Sequence, residues 1–264
     1  MSAYQRLPST SFSPVPGTHD TIDGPDHRTL ASYDLSWIDT RGLATWDRRA
    51  LPDTPEIEAA VSSFARGALL RGLRGPVPIE DLIPGDRVAV RGGGTAQIDW
   101  IGSRSYDAGA ERPMFFRVAA HAFGASGPDH DVLLGAHANI LIDSPRCHKL
   151  IGGSQAFAPI RAFEDGHSIT AIVPQGEVTV YGIACSGQEA ILVGNLPVES
   201  YHPARATGRN LTRTMLSDMG KLFPQTASGA GFGAPRIPYL TVSEAQGLAM
   251  TGVRYGMRGA PNPA

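Results

Sequence analysis

Residues 63–90 read SFARGALLRGLRGPVPIEDLIPGDRVAV, and their rhythm decides the fold class. Short apolar pieces alternate with Gly, Pro and charged residues, which is too broken a pattern for a helix but suits strands joined by tight turns. The same rhythm continues to Tyr201 through DRVAV, AQIDWIG, PMFFRVAA, DVLLGAHANILID, HSITAIV, EVTVYGIAC and QEAILVG. Val88/Val90, Ile98/Trp100 and Val178/Val180 give the two-residue alternation of half-buried strands, and Arg91-Gly92-Gly93-Gly94 reads as a turn between two of them. With 31 glycines and 21 prolines in 264 residues, and no run of helical period between Phe64 and Tyr201, the prediction is an all-β domain.

The flanks read differently. Residues 1–55 are rich in Pro, Ser, Thr and Asp and are expected to form an irregular, acidic N-terminal extension. Only YDLSWID there looks ready to become a strand, with Tyr33, Leu35, Trp37 and Trp46 as packing residues. Thr54-Pro55-Glu56 offers a helix start, with Thr54 as cap and Pro55 in the first position. The β domain is taken as 56–203, and 204–264 as a basic tail with two short helices. The first has apolar residues at Leu211, Met215, Met219 and Leu222 and ends before Pro224. The second runs to Met250 behind a capping box expected at Ser243 and Gln246. Beyond Ala204 the only acids are Asp218 and Glu244, so acidic head and basic tail suit each other, an outside partner, or simple solvation.

Composition narrows the function classes. A hydrophobic fraction of 42% and a charged fraction of 18% describe a globular chain. No apolar run reaches the roughly 20 residues of a membrane span, and MSAYQRLPSTSF lacks the form of a signal peptide. The expectation is therefore a cytoplasmic protein, or one exported by another route. Cys147 and Cys185 are too few for a disulfide scaffold or a four-thiolate zinc site. The group Asp129, His130, Asp131, His137, Cys147 and His148 matches no standard zinc spacing, so no metal is expected. No cofactor is expected either, since Gly229, Gly231 and Gly233 do not open a helix after a strand and read as a linker. A net charge of −2 argues against nucleic acid. No Gly-x-Ser-x-Gly elbow is present for an esterase.

The opening stretch, followed in order by Trp100-Ile101-Gly102, Asp131-Val132-Leu133-Leu134 and Glu189 through Tyr201, resembles the bacterial branch of the Hint (Hedgehog/intein) family. The resemblance covers about residues 62 to 203 and implies the Hint fold of many short strands. It also implies a chemistry. The first residue of such a domain attacks the carbonyl just before it, turning a peptide bond into a thioester or ester, while a His protonates the departing nitrogen. The position of the attacking residue falls on Ser63 where the family pattern has Cys. The family's Ser-Pro-x-His falls on Gly135-Ala136-His137-Ala138, which puts Ala138 in the histidine slot and His137 one residue early. On a strand that offset turns the ring to the opposite face unless a bulge intervenes. A later His of the family is Gln188 here, and no terminal His-Asn pair is present for splicing.

Ser63 and His137 are accordingly the candidate catalytic residues. The competing readings are an ordinary helix–strand junction serine and a surface or hydrogen-bonded histidine. Two functions follow from the resemblance: a Hint protein with impaired or lost autoprocessing, acting as an interaction scaffold for a protein partner, or a cis-acting domain cleaving at Ser62/Ser63 by an N-to-O acyl shift.

Overall fold

The computed structural model describes residues 28–108, 112–124, 127–206, 212–228 and 231–250. Fifteen strands among them join through antiparallel pairings into one connected sheet, with only short helices at its edges. The all-β expectation holds.

The organising element is the twelve-residue strand Thr95–Tyr106. It pairs along Val178–Cys185 for most of its length, and also with Arg87–Ala89 and Leu30–Ile38. Its alternation buries Ile98 and Trp100, as the sequence pattern requires. The turn that feeds it holds Gly92, Gly93 and Gly94 at φ of +94°, +95° and +88°, values that favour glycine. Gly102 serves a different purpose. A Cβ there would lie 2.4 Å from Trp100 ring carbons, so its bare Cα makes room for the indole.

The described part of the head, from Arg28 onward, is more ordered than its composition suggests. Leu30–Ile38 forms the anticipated strand, and it is joined by a second, Ala44–Pro52, in a continuous antiparallel hairpin. The second strand pairs with nothing else, so its face is solvated and carries Asp47, Arg48, Arg49 and a 74% exposed Trp46. An edge strand of that kind has no apolar alternation to read. Thr54 then caps the helix Pro55–Val61, accepting from the Ile57 amide at 3.4 Å.

The tail helices form where expected, with one correction. Thr212 caps Arg213–Leu222, accepting from the Met215 amide at 3.2 Å. The second helix, Val242–Met250, is started not by Ser243 and Gln246 but by Thr241 and Glu244. Glu244 accepts from the Thr241 amide at 2.7 Å while the Thr241 hydroxyl accepts from the Glu244 amide at 3.2 Å. Both pairs have the capping-box spacing, and the side chain one step earlier makes the reciprocal bonds.

Of four apolar clusters among the described residues, the two largest hold most of the core. The larger fills the sheet around Phe64, Leu70, Ile98, Leu134, Ile140 and Ile191. The second ties both flanks to the domain: Tyr33, Leu35 and Leu51 from the head and Leu222 and Phe223 from the tail meet around Trp100. The Trp100 indole donates to the Leu222 carbonyl at 2.8 Å, and its ring packs 4.5 Å from that of Phe223. Head and tail also meet through charge, but with the polarity opposite to that of their overall compositions. Arg28 of the head pairs with Asp218 of the tail at 2.7 Å, and Arg49 donates to the Lys221 carbonyl at 2.6 Å. No described helix is long and apolar enough to cross a membrane.

Candidate functional site

The Ser62–Ser63 bond lies where the helix Pro55–Val61 gives way to the short strand Phe64–Ala65. That strand is held on both sides, with Phe64 opposite Tyr181 on one neighbour and opposite Leu134 on the other. The helix end fixes Ser62, whose hydroxyl donates to the Glu58 carbonyl at 2.6 Å. The sheet fixes Ser63, whose amide donates to the Tyr181 carbonyl and whose carbonyl accepts from the Gly135 amide, each at 3.0 Å. Ser63 is 2% exposed as a whole, and no described side chain hydrogen-bonds to its hydroxyl.

Gly135 presses directly on this junction. A Cβ built on it would stand 2.0 Å from the Ser62 carbonyl oxygen and 2.8 Å from the carbonyl carbon. The position where the family pattern has a serine therefore holds bare backbone against the bond that family chemistry would break. Three residues on, Ala138 is fully buried, its amide bonded to the Gly135 carbonyl and its carbonyl to the Ile160 amide, both at 3.0 Å. A methyl group in the core offers no proton.

His137 lies elsewhere. It lines a cavity bordered by Pro55, Asn139, Tyr201, Arg205 and Tyr239, which Ser63 does not line, and its carbonyl accepts from the Arg205 guanidinium. His137 thus stands on the cavity wall, while Ser63 is held in the sheet. Gln188, at the position where the resemblance leads one to expect a second histidine, is 1% exposed and spends its amide on the tail. Its Oε1 accepts from the Arg236 and Ile237 amides at 2.8 Å each, and its Nε2 donates to the Ile237 carbonyl at 3.0 Å and the Tyr239 hydroxyl at 2.9 Å. The segment so held runs beside the strand Gln155–Pro159, where the Phe157 amide donates to the Pro238 carbonyl at 2.9 Å and the Leu240 amide to the Phe157 carbonyl at 2.8 Å.

Beneath this strap sits a polar cluster that the sequence reading did not single out. Glu199 is buried, accepts from Asn139 at 2.7 Å and from the Tyr239 hydroxyl, and lies 3.8 Å from the Arg205 guanidinium. Burial raises its carboxyl above the usual carboxylate range, although Arg205 and the two hydrogen bonds pull the other way. Glu199 was legible as part of a family-like run. Tyr239 gave no signal, because it comes from a tail segment without periodicity.

No substitute nucleophile is available in either cysteine. Both are buried, and burial pushes the Cys185 thiol up to about 12, leaving it protonated at neutral pH. The imagined metal group is dispersed over other partners. Asp129 is bonded to His130 at 2.6 Å and to Asn195 at 2.8 Å, and Asp131 is tied to Arg117 and the Ala120 amide. Among the described residues no three His, Cys, Asp or Glu side chains gather as metal ligands.

Known proteins bear on the same region. The solution structure of a bacterial intein-like domain from Clostridium thermocellum is similar to 53% of this chain over 99% of its own length, at 11% identity and a TM-score of 0.38. No curated protein matches the chain. The family model described as the Hint domain matches residues 62–205, beginning beside Ser63 and ending at Arg205. The chain belongs to the Hint domain family.

Proposed function

We propose that this is a Hint domain that has lost self-processing and serves as an interaction scaffold, with head and tail as fixed parts of the folded unit. The observation that carries the reading is the state of the Ser62–Ser63 junction. Ser63 is 2% exposed with no described histidine or carboxylate hydrogen-bonded to its hydroxyl, Gly135 abuts the Ser62 carbonyl, and Ala138 and Gln188 stand in both histidine slots. A serine hydroxyl needs a neighbouring base to attack, and the departing nitrogen needs an acid. Losing the acid alone costs about 10²–10⁴-fold in rate.

The flanks support the same reading. Head residues on one side of the junction and tail residues on the other share the cluster around Trp100. Severing the Ser62–Ser63 bond would leave the head hairpin still paired to the strand Thr95–Tyr106. A product so held is of little use to a domain built to release its upstream segment. The partner is expected to be a protein, with no nucleic acid involved.

The test is the intact mass of the full chain, followed over days with and without hydroxylamine, which would trap any ester. A single unchanged mass is expected. Two fragments meeting between Ser62 and Ser63, abolished by Ser63→Ala, would overturn the reading in favour of autoproteolysis through an N-to-O acyl shift.

A further inference from the structure

The cavity beside His137 has a volume of roughly 260 Å³ and opens to solvent. Three separate parts of the chain build its apolar wall: Pro55 and Ala59 from the head helix, Leu216 and Met219 from the first tail helix, and Leu240 from the tail strap. None of these side chains is charged, and the two longer ones on the tail helix are flexible enough to adapt to an irregular guest.

The charged groups in the lining are Glu56, His137, Arg161 and Arg205. Arg205 is committed inward, to the carbonyls of Ala59 and His137 and to buried Glu199. Glu56 and His137 have interactions of their own. Arg161 differs. It is exposed, it stands on the lip shared with the adjoining groove along Pro235–Val242, and among the described residues it makes no hydrogen bond or ion pair. An apolar hollow with one uncommitted guanidinium at its mouth suits a guest with an apolar body and an anionic head. A carboxylate matches the planar guanidinium fork in geometry as well as charge.

We propose that this cavity binds a small amphipathic carboxylate, its alkyl body against Ala59, Leu216, Met219 and Leu240 and its head group on Arg161. The site does not depend on the fate of the Ser62–Ser63 bond, because Ser63 does not line it. It goes beyond the scaffold reading by giving the folded flanks a ligand to enclose.

The probe is octanoate, with octanamide as the uncharged control of nearly equal shape. Titration of the full chain, followed by amide shifts and calorimetry, should show one saturable site with the largest shifts at His137, Arg161 and Leu240. Octanoate should bind about 1.5-fold to fivefold more tightly than octanamide, the range of an exposed ion pair. Arg161→Gln should remove that preference, bringing octanoate binding down to the level of octanamide. Leu216→Glu, at a cavity-rim position that is 56% exposed, should weaken octanoate further by placing a like charge beside the alkyl chain. Absence of saturation up to about 20 mM, equal binding of the two probes, or shifts centred away from these residues would each overturn the proposal.

Discussion

Gly135 shows how much a single missing side chain decides. Its Cα touches the Ser62 carbonyl so closely that even a methyl group would overlap it; Gly135 is held by its amide bond to the Ser63 carbonyl, and Ser62 by its hydroxyl bond to Glu58 at the helix end. The neighbours are main chain, so they cannot swing aside as a flexible side chain would. Gly135→Ala should therefore cost about 1–3 kcal/mol, the range of overpacked cores. A lower urea midpoint with an unchanged denaturant slope would report it, and an unchanged midpoint would contradict the contact.

Glu199 makes a second prediction at this scale. Because burial raises its carboxyl, the folded chain holds a proton that the unfolded chain has already released above its ordinary value of 4.5. The stability this group contributes is full below that value and is lost as pH rises toward the folded one. Glu199→Gln removes the titration, so the wild-type chain should lose stability relative to the variant as pH rises above about 4.5. A difference that stays constant with pH would contradict the assignment. Ser63, Ala138 and Gln188 could all be placed from the spacing of residues along the chain. The steric role of Gly135 could not, since it depends on a carbonyl from a distant segment brought beside it only by the fold.

Among the elements, the tail strap is the piece that sequence patterns hide. Arg236 through Leu240 form no regular strand of their own, and they attach by backbone bonds to Phe157 and to the amide of Gln188. Backbone bonds leave no periodic trace. The helices and most strands did leave one, because caps, prolines and apolar alternation act locally. Ala44–Pro52 escaped for the opposite reason, as an edge strand with polar residues on its open face.

The strap also explains why glutamine suits position 188. Its amide offers two acceptor lone pairs and two donor hydrogens, and the structure uses all four. A neutral imidazole offers one donor and one acceptor. Gln188→His should therefore lose two bonds of about 1 kcal/mol each, and hydrogen exchange at Ile237 and Leu240 should accelerate about 30-fold. It should not restore cleavage, because Ser63 would still lack a partner. Unaltered protection of those amides would show that the strap is held by other means.

At the scale of the whole molecule, the Hint frame and the described parts of its flanks interlock. The head hairpin extends the sheet at the strand Thr95–Tyr106, the tail helix Arg213–Leu222 closes over Trp100, and the strap covers Glu199. The frame that would perform a cut thus contains the segments a cut would separate. Composition indicated an acidic head and a basic tail, but the contacts between them are made by head arginines and a tail aspartate together with shared apolar packing. Net charge could not foresee that, because pairing is decided by individual residues.

The claim that this frame keeps its peptide bond is tested most directly at the amide of Ser63. Bonded to the Tyr181 carbonyl, it should give a single persistent cross-peak in an amide-resolved spectrum, with slow exchange and full intensity over days. A second population in which that amide is lost and a free amine appears, absent from the Ser63→Ala chain, would reveal an ester at Ser62 and contradict the account.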